Sequence, residues 1–269
     1  MPGIAPTRYA GRRNGRIRDR RPGARTVDES KGDESKQGVA ALERALSILE
    51  AFRDRSKGPG RTLAELSAST GLYKSTILRL CVSLERFSYI KRLENGAYSL
   101  GPAVFQLGQN YRSSFLEVSD VRPVLLDLVA KTRESASLWV LEGHSRVCLM
   151  RVDTPQHVRD TSIREGVRLP LDRGATSDIL RAFSGGRGAS ENKAYKARHA
   201  SSIGGYLPDL AGISRPVFGA GDTFVAALTL AGPSSRFTPA VVGDFEEALL
   251  DAARRITGVL GGSAATYVT

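Results

Sequence analysis

Cysteine and long apolar runs are both scarce in this 269-residue chain. Its two cysteines, Cys81 and Cys148, have neither metal-ligand spacing nor an obvious partner, so we expect reduced, buried thiols and no bound metal or cofactor. No apolar run approaches the roughly 20 residues that span a membrane. Residues 1–36 lack the hydrophobic segment of a secretory signal. These absences predict a cytoplasmic protein.

Positive charge is concentrated towards the N-terminus. The chain carries 39 Lys and Arg against 28 Asp and Glu, a net charge of +11. Residues 1–36 account for +5 and residues 37–101 for +4, although they make up little more than a third of the chain. Such an excess is typical of nucleic-acid binding. Residues 1–37 have almost no large apolar side chains, so we expect a basic disordered tail there.

The stretch 61–100 has the order of elements of a winged helix-turn-helix. Thr62 and Glu65 have capping-box spacing, which predicts a helix beginning at Leu63. Gly71 ends it, because glycine adopts a left-handed conformation at little cost. A second helix is predicted over 74–87, since its apolar residues recur at helical spacing on one face. Two helices joined by a short glycine turn are typical of DNA-binding modules.

The second helix and the segment after it supply candidate DNA contacts. In a helix-turn-helix, the N-terminal part of the second helix meets base edges. We therefore predict base contacts from Ser75, Thr76 and Arg79. Two short strands around Asn95-Gly96, a two-residue turn signal, predict a hairpin wing that brings Asn95 near the backbone or minor groove. Phosphate contacts are predicted for Lys74, Lys91, Arg92, Arg44 and Arg61.

The rest of the chain mixes helices and strands. An amphipathic helix over 38–54 is expected to turn Val39, Leu42, Leu46, Leu49 and Phe52 inward. Residues 184–204, rich in Gly, Ser and Ala, are expected to be mobile. Further helices are predicted at 102–114, 117–132, 176–183 and 239–260, and strands at 136–141, 146–152, 213–218 and 223–230. This mixture indicates an α+β fold.

The N-terminal segments resemble those of IclR-type bacterial transcription regulators. The resemblance lies in residues 42–49, in Thr70-Gly71-Leu72 with Lys74-Ser75-Thr76, and in residues 96–101. It continues weakly to residue 262. Members of that family often have proline where this chain has Tyr73. The resemblance implies a winged helix-turn-helix, a linker helix that takes part in dimer contacts, and a GAF-like effector domain.

The resemblance also implies an effector site in the second half of the chain. Family contacts come from a loop and helix start that match Gly174, Ala175, Thr176 and Ser177, and from a strand that matches Thr229 and Ala231. Of an acidic pair usual in the family, only Asp209 remains. Small and hydroxyl residues at a helix start suit a carboxylate held by backbone N–H groups.

The combined interpretation is a non-enzymatic, sequence-specific DNA-binding regulator. Its predicted partners are a palindromic operator, further copies of the chain in a homodimer or tetramer, and an organic acid or aromatic effector. The expected parts are a tail (1–37), a DNA-binding domain (38–101), a linker helix (102–116), an effector domain (117–262) and a second tail (263–269). Two alternatives remain: a regulator without a ligand, and a sugar-kinase-like enzyme indicated only by Gly219-Ala220-Gly221-Asp222.

Overall fold

The computed structural model describes residues 38–113, 118–186 and 188–267. The predicted tail over 1–37 lies outside these residues. So do the last positions of the predicted linker, residues 114–116, and the last two residues of the chain. Among the described helices, none is both long and apolar enough to cross a membrane.

The N-terminal part is three helices and a small antiparallel sheet. Its elements in chain order are α1 (Ala40–Glu50), β1 (Gly60–Arg61), α2 (Leu63–Thr70), α3 (Lys74–Arg86), β2 (Ile90–Arg92) and β3 (Tyr98–Leu100). The strand order is β1-β3-β2. One apolar cluster, which includes Ile48, Leu66 and Ile77, joins the three helices to the sheet. This is the winged helix-turn-helix that the sequence predicts.

The local signals around α2 are confirmed. The Thr62 hydroxyl accepts from the N–H of Glu65 at 3.2 Å, and the Glu65 carboxylate accepts from the N–H of Thr62 at 2.7 Å. Gly71 follows α2 with φ 69°. The wing differs in detail, because its loop has three residues rather than two. Gly96 donates to the carbonyl of Leu93, and Leu93 donates to that of Ala97, so Gly96 forms a bulge after a turn centred on Glu94 and Asn95.

The prediction of which α1 residues face inward needs correction. Ile48 and Phe52 are buried, whereas Val39, Leu42 and Leu46 are at least half exposed. The helix also ends at Glu50 rather than near residue 54. Hydrophobic periodicity identified an apolar stripe, but α1 rests on α2 and α3 along a neighbouring stripe. The exposed residues at i, i+3 and i+7 therefore form an uncovered apolar ridge.

The described residues of the second part form five α-helices and a six-stranded sheet. Helix α4 (Pro102–Ser113) connects to it from the wing. The remaining elements are α5 (Val118–Thr132), β4 (Ser135–Glu142), β5 (Ser145–Val152), β6 (Arg168–Pro170), α6 (Ala175–Phe183), α7 (Ala189–Ala197), β7 (Ala200–Ile203), β8 (Leu210–Phe218), β9 (Phe224–Pro233) and α8 (Pro239–Val259). The sheet is antiparallel throughout, in the order β6-β5-β4-β9-β8-β7. The α+β class is confirmed.

Apolar side chains point to both faces of this sheet, and helices cover each face. Leu138 and Val140 of β4 join α5 and α8 in the larger apolar cluster. Trp139, between them, points to the opposite face, where it packs with α6. Successive side chains of a strand point to opposite faces, so the sequence of β4 is apolar on both. The segment 184–204, predicted to be mobile, in fact contributes helix α7 and edge strand β7.

Helix α4 is fastened to the second part at its C-terminal end. Tyr111 bonds to Glu142 at the end of β4. Arg112 lies 3.4 Å from Glu165, which also pairs with Arg122 of α5 at 3.2 Å. The same carboxylate accepts the backbone N–H of Arg151 in β5 at 3.0 Å. Glu165 thus joins the connecting helix, α5 and the sheet at one point.

Candidate DNA interface and ligand cavity

The outer face of α3 is polar at its N-terminal end. Lys74, Ser75 and Arg79 are exposed, and Thr76 is half-buried. The opposite face is anchored by Ile77 and Cys81, which are fully buried. Ser75 and Arg79 are four residues apart and so lie on the same side of the helix. The exposed face also carries Leu78 and Val82, and Tyr73 just before the helix is 83% exposed.

The wing and α1 place other predicted DNA residues at the surface. Lys91, Arg92 and Asn95 of the wing are exposed, as is Arg44 on α1. Asn95 Oδ1 accepts the N–H of Ala97 at 3.0 Å, so part of this amide stabilises the wing itself. Strand β2 packs against α3. The wing cations therefore belong to the same rigid unit as the exposed face of α3.

The predicted phosphate contact of Arg61 is wrong, because its side chain is buried and cannot reach a phosphate. Its exposed fraction is 2%. Its guanidinium donates to the carbonyls of Ala51 at 3.1 Å and of Gly58 and Gly60 at 2.8 Å, and also bonds to that of Asp54. Its Cζ lies 5.8 Å from the ring centroid of Phe52. Arg61 ties the end of α1 to the small sheet.

A cavity of about 70 Å³ opens on the α6 side of the six-stranded sheet. Its walls are formed by β4, β5, β8 and β9, by the N-terminus of α6, and by the loops that carry Asp160 and Tyr206. The residues facing it from β4, Ser137 and Trp139, are two apart, as are Thr229 and Ala231 of β9. This spacing follows from the period of two along a strand.

Hydroxyl groups and a helix N-terminus form one wall of the cavity. Gly174 precedes α6 with φ 98°, a left-handed value that favours glycine. The N–H of Ala175 donates to the Ser202 hydroxyl at 3.1 Å. The hydroxyls of Thr176 and Thr229 lie 2.9 Å apart, and Thr229 is also 2.9 Å from that of Ser214. This wall presents hydrogen-bonding groups of the kind that bind small polar ligands.

The predicted effector residues divide into two groups. The cavity lining includes Gly174, Ala175, Thr176, Thr229 and Ala231. It does not include Ser177, which is fully buried, or Asp209, which is exposed on the neighbouring surface. The structure therefore corrects the placement of these two residues. Asp209 is displaced because the segment before β8 carries it out along the surface, where its carbonyl accepts from Ser234.

The kinase-like stretch does not have the surroundings of a phosphate site. Residues Ala220–Asp222 form a short 3-10 turn, and strand β9 begins directly afterwards at Phe224. Asp222 Oδ1 accepts the N–H of Ser263 at 2.8 Å. No helix N-terminus follows the glycines here to bind an anion. Cys148 is buried as predicted, and burial raises the pKa of its thiol to about 12, so the thiol is a poor nucleophile.

Comparison with known proteins agrees with both parts. Residues 41–94 match the IclR helix-turn-helix domain. The transcriptional regulator KipR of Bacillus subtilis is 26% identical over 81% of this chain and 96% of its own length. The transcriptional repressor IclR of Escherichia coli is 23% identical over 83% of this chain and 91% of its own length. This chain therefore carries an IclR-type helix-turn-helix domain and is similar over most of its length to IclR-type transcriptional regulators.

Solved structures of IclR-type proteins share the fold of this chain in both of its parts. The IclR of Thermotoga maritima matches with a TM-score of 0.66 and 18% identity, over 82% of this chain and 98% of its own. An IclR homolog from Microbacterium hydrocarbonoxydans, complexed with 4-hydroxybenzoate, matches with a TM-score of 0.67 and 22% identity. The match covers 82% of this chain and 99% of the homolog. At these identities the likeness establishes the fold alone.

Two arginines that line the cavity, Arg146 and Arg151, are not among the residues that the sequence predicts. Arg146 and Arg151 stand in β5, where an alternating strand pattern signals only burial. Arg151 is held by Asp153 at 2.7 Å and by the carbonyl of Asp160 at 3.1 Å. Burial lowers the pKa of the Arg146 guanidinium from its usual value. The sequence signal that could have identified these two residues is the presence of arginine in an otherwise apolar strand.

Proposed function

We propose that this regulator reads a palindromic operator through the exposed face of α3 and the wing. Base contacts come from Ser75, Thr76 and Arg79, and phosphate contacts from Lys74, Lys91, Arg92 and Arg44. Asn95 sits at the wing tip near the sugar-phosphate backbone. The protein acts by binding and not by catalysis, which agrees with its being similar to named regulators.

One observation carries the proposal. The N-terminal half of α3 exposes Lys74, Ser75 and Arg79, while the other side of the helix is anchored in an apolar cluster. A helix held this way keeps a fixed polar edge that fits the major groove. Arginine recognises guanine through two parallel hydrogen bonds, so Arg79 is the strongest candidate for a base contact.

We further propose that two copies of the chain bind together. The apolar ridge of α1, with Val39, Leu42 and Leu46, is at least half exposed. Helix α4 adds Phe105 at 72% and Leu107 at 51%. Covering these side chains with a second copy would bury apolar surface that a monomer leaves in water. A symmetric pair then presents two copies of α3 to two half-sites.

A small ligand in the cavity is the proposed control. Arg151 lines the cavity with its side chain and gives its backbone N–H to Glu165, which in turn holds Arg112 of α4. A ligand that shifts this strand therefore has a continuous path of contacts to the helix that connects the DNA-binding part. A ligand acts only through different affinities for two states. Constitutive operator binding would favour the ligand-independent alternative.

Fluorescence anisotropy with DNA from the gene's own upstream region, against scrambled DNA over a salt series, tests the proposal. We expect at least ~10³-fold tighter binding to the native sequence. Arg79→Ala should abolish that preference. Arg86→Ala, which removes the same charge at the far end of α3, is the matched control and should retain it. Equal binding of both DNAs by the wild type at every salt concentration would count against sequence-specific recognition of this region.

A further inference from the structure

Arg146 is a buried cation for whose guanidinium the described residues provide no hydrogen-bonding partner. Only 4% of the residue is exposed, yet it lines the cavity. Its Nε has no hydrogen-bond partner, and no ion pair to the guanidinium is found within the part of the chain that the structure describes. Asp172 acts on it only at a distance, and its Oδ1 accepts the N–H of Arg173. A buried charge left in this condition is costly to the folded protein.

Two aromatic rings hold the guanidinium without using its N–H groups. The Cζ of Arg146 lies 5.1 Å from the ring centroid of Trp139 and 5.2 Å from that of Tyr206. Cation–π contacts stabilise the charge through the ring faces. The donors of the guanidinium stay available, in a fixed fork that matches the two oxygens of a carboxylate. The side chain is thus preorganised for an anion that is not part of the protein.

The other charged groups of the cavity are already engaged. Arg151 is paired with Asp153. Asp160, the single carboxylate in the lining, has its Oδ1 bonded to the N–H and the hydroxyl of Ser162 at 2.8 and 2.6 Å. One unpaired positive charge therefore remains, and it faces a cavity that also contains the N-terminus of α6. Helix N-termini favour negative charge.

We propose that Arg146 determines the ligand of this cavity by pairing with the carboxylate of a small monoanion. This inference rests on the proposed control by a small molecule and specifies its chemistry. Acetate and propionate are suitable probes of this pairing, because each carries a carboxylate and only a short alkyl group. Trp139 and Tyr206 then serve to position Arg146 rather than to stack on the ligand.

The test compares acids with their neutral amides, using Trp139 as the reporter. It is the only tryptophan of the chain and lies against Arg146, so its fluorescence responds to events at this site. We would titrate the full-length protein with acetate, propionate, acetamide and propionamide at constant ionic strength. We expect saturable signals for the acids, in about the millimolar range for ligands of this size, and none for the amides.

Variants of two arginines separate specific pairing from general charge. Arg146→Gln should weaken binding of the acids by at least ~10-fold. Arg173→Gln removes the same charge from an exposed position nearby and should bind as the wild type does. Should Arg146→Gln fail to fold, Arg146→Lys keeps a charge but lacks the fork, and we expect it to bind several-fold more weakly.

Three results would overturn the proposal: no signal from either acid in the wild type, equal binding of acid and amide, or unweakened binding by the Arg146 variant that folds. Operator binding by the wild type is measured on the same preparation. Loss of operator preference alone would speak against the proposed DNA reading and leave the carboxylate site standing. Loss of carboxylate binding alone would speak against the carboxylate site and leave the proposed DNA reading standing.

Discussion

The hydroxyl of Tyr111, near the end of α4, donates a 2.9 Å hydrogen bond to Oε1 of Glu142, the last residue of β4. Burial, together with this carboxylate, raises the pKa of Tyr111 to about 12. The phenol therefore stays protonated, and can donate, throughout the physiological pH range. The bond ties the helix that leaves the wing directly to the sheet that forms the cavity.

Tyr111→Phe should loosen this attachment without unfolding either part. The variant keeps the ring and removes the donor, and a single partly exposed bond contributes about 1 kcal/mol. We expect faster deuterium exchange of the α4 amides and little change in melting temperature. Tyr195→Phe, which removes an exposed hydroxyl from α7, is the control. Unchanged exchange in α4 would mean that other contacts hold the helix.

The ion pairs of Glu165 should be weak and salt-sensitive. Its side chain is 36% exposed, and Arg112 and Arg122 are 25% and 48% exposed, so solvent screens both pairs. A double-mutant cycle of Glu165→Gln and Arg112→Gln, measured by urea unfolding, should give a coupling below ~1 kcal/mol. High salt should reduce it further. A coupling that is independent of salt would indicate a pair more sheltered than these exposures imply.

Arg61→Ala should destabilise the N-terminal part. The change removes a buried side chain and leaves several carbonyls without their donor, and we expect a loss of about 3 kcal/mol or more. Arg61→Lys should not restore it, because an ammonium cannot reach the same set of carbonyls as a planar fork. The measurement is thermal unfolding followed by circular dichroism.

The control for Arg61 is Arg53→Ala, which removes an exposed arginine from the same region. We expect its melting temperature to stay near that of the wild type. A stable Arg61→Ala variant that had lost only DNA affinity would restore the phosphate-contact interpretation that the structure rejects.

Tyr73→Pro should stabilise the helix-turn-helix slightly. Tyr73 has φ −63° and ψ 141°, values that proline adopts without strain, and its side chain is 83% exposed. No backbone hydrogen bond from its N–H is found among the described residues. We expect a gain of about 0.4–1 kcal/mol from the more restricted unfolded chain. Tyr73→Ala should show no such gain in the same unfolding assay, and destabilisation by proline would contradict the expectation.

The two thiols should be inert in the folded protein. Burial raises the pKa of Cys81 to about 11, with a smaller contribution from Glu85, and raises that of Cys148 to about 12. Both therefore remain protonated near neutral pH, and only the thiolate is a good nucleophile. Iodoacetamide should label neither residue in native protein and both in urea, as read by mass spectrometry. Rapid native labelling of either residue would show that it becomes exposed.

Much of the DNA-binding part was predictable because its signals are local. The capping box of Thr62 and Glu65 spans four residues, and the apolar face of α3 repeats within four turns. Such patterns act through contacts a few residues apart, which sequence shows directly. The ligand cavity was only partly predictable. Resemblance identified the helix start at Gly174 and the strand residues Thr229 and Ala231, but it misplaced Ser177 and Asp209.

The sequence by itself determined the helix-turn-helix, its limits and the surplus of positive charge around it. Only the tertiary structure decided which arginines face water. Arg61 and Arg79 look alike in the sequence, yet the guanidinium of the first bonds to carbonyls at the end of α1 and in the loop after it, whereas the second is exposed. Arg146 becomes an unpaired cation because folding brings Tyr206 against it and brings none of the described carboxylates within ion-pair distance. Burial depends on residues far apart in the chain, and hydrophobic periodicity does not encode it.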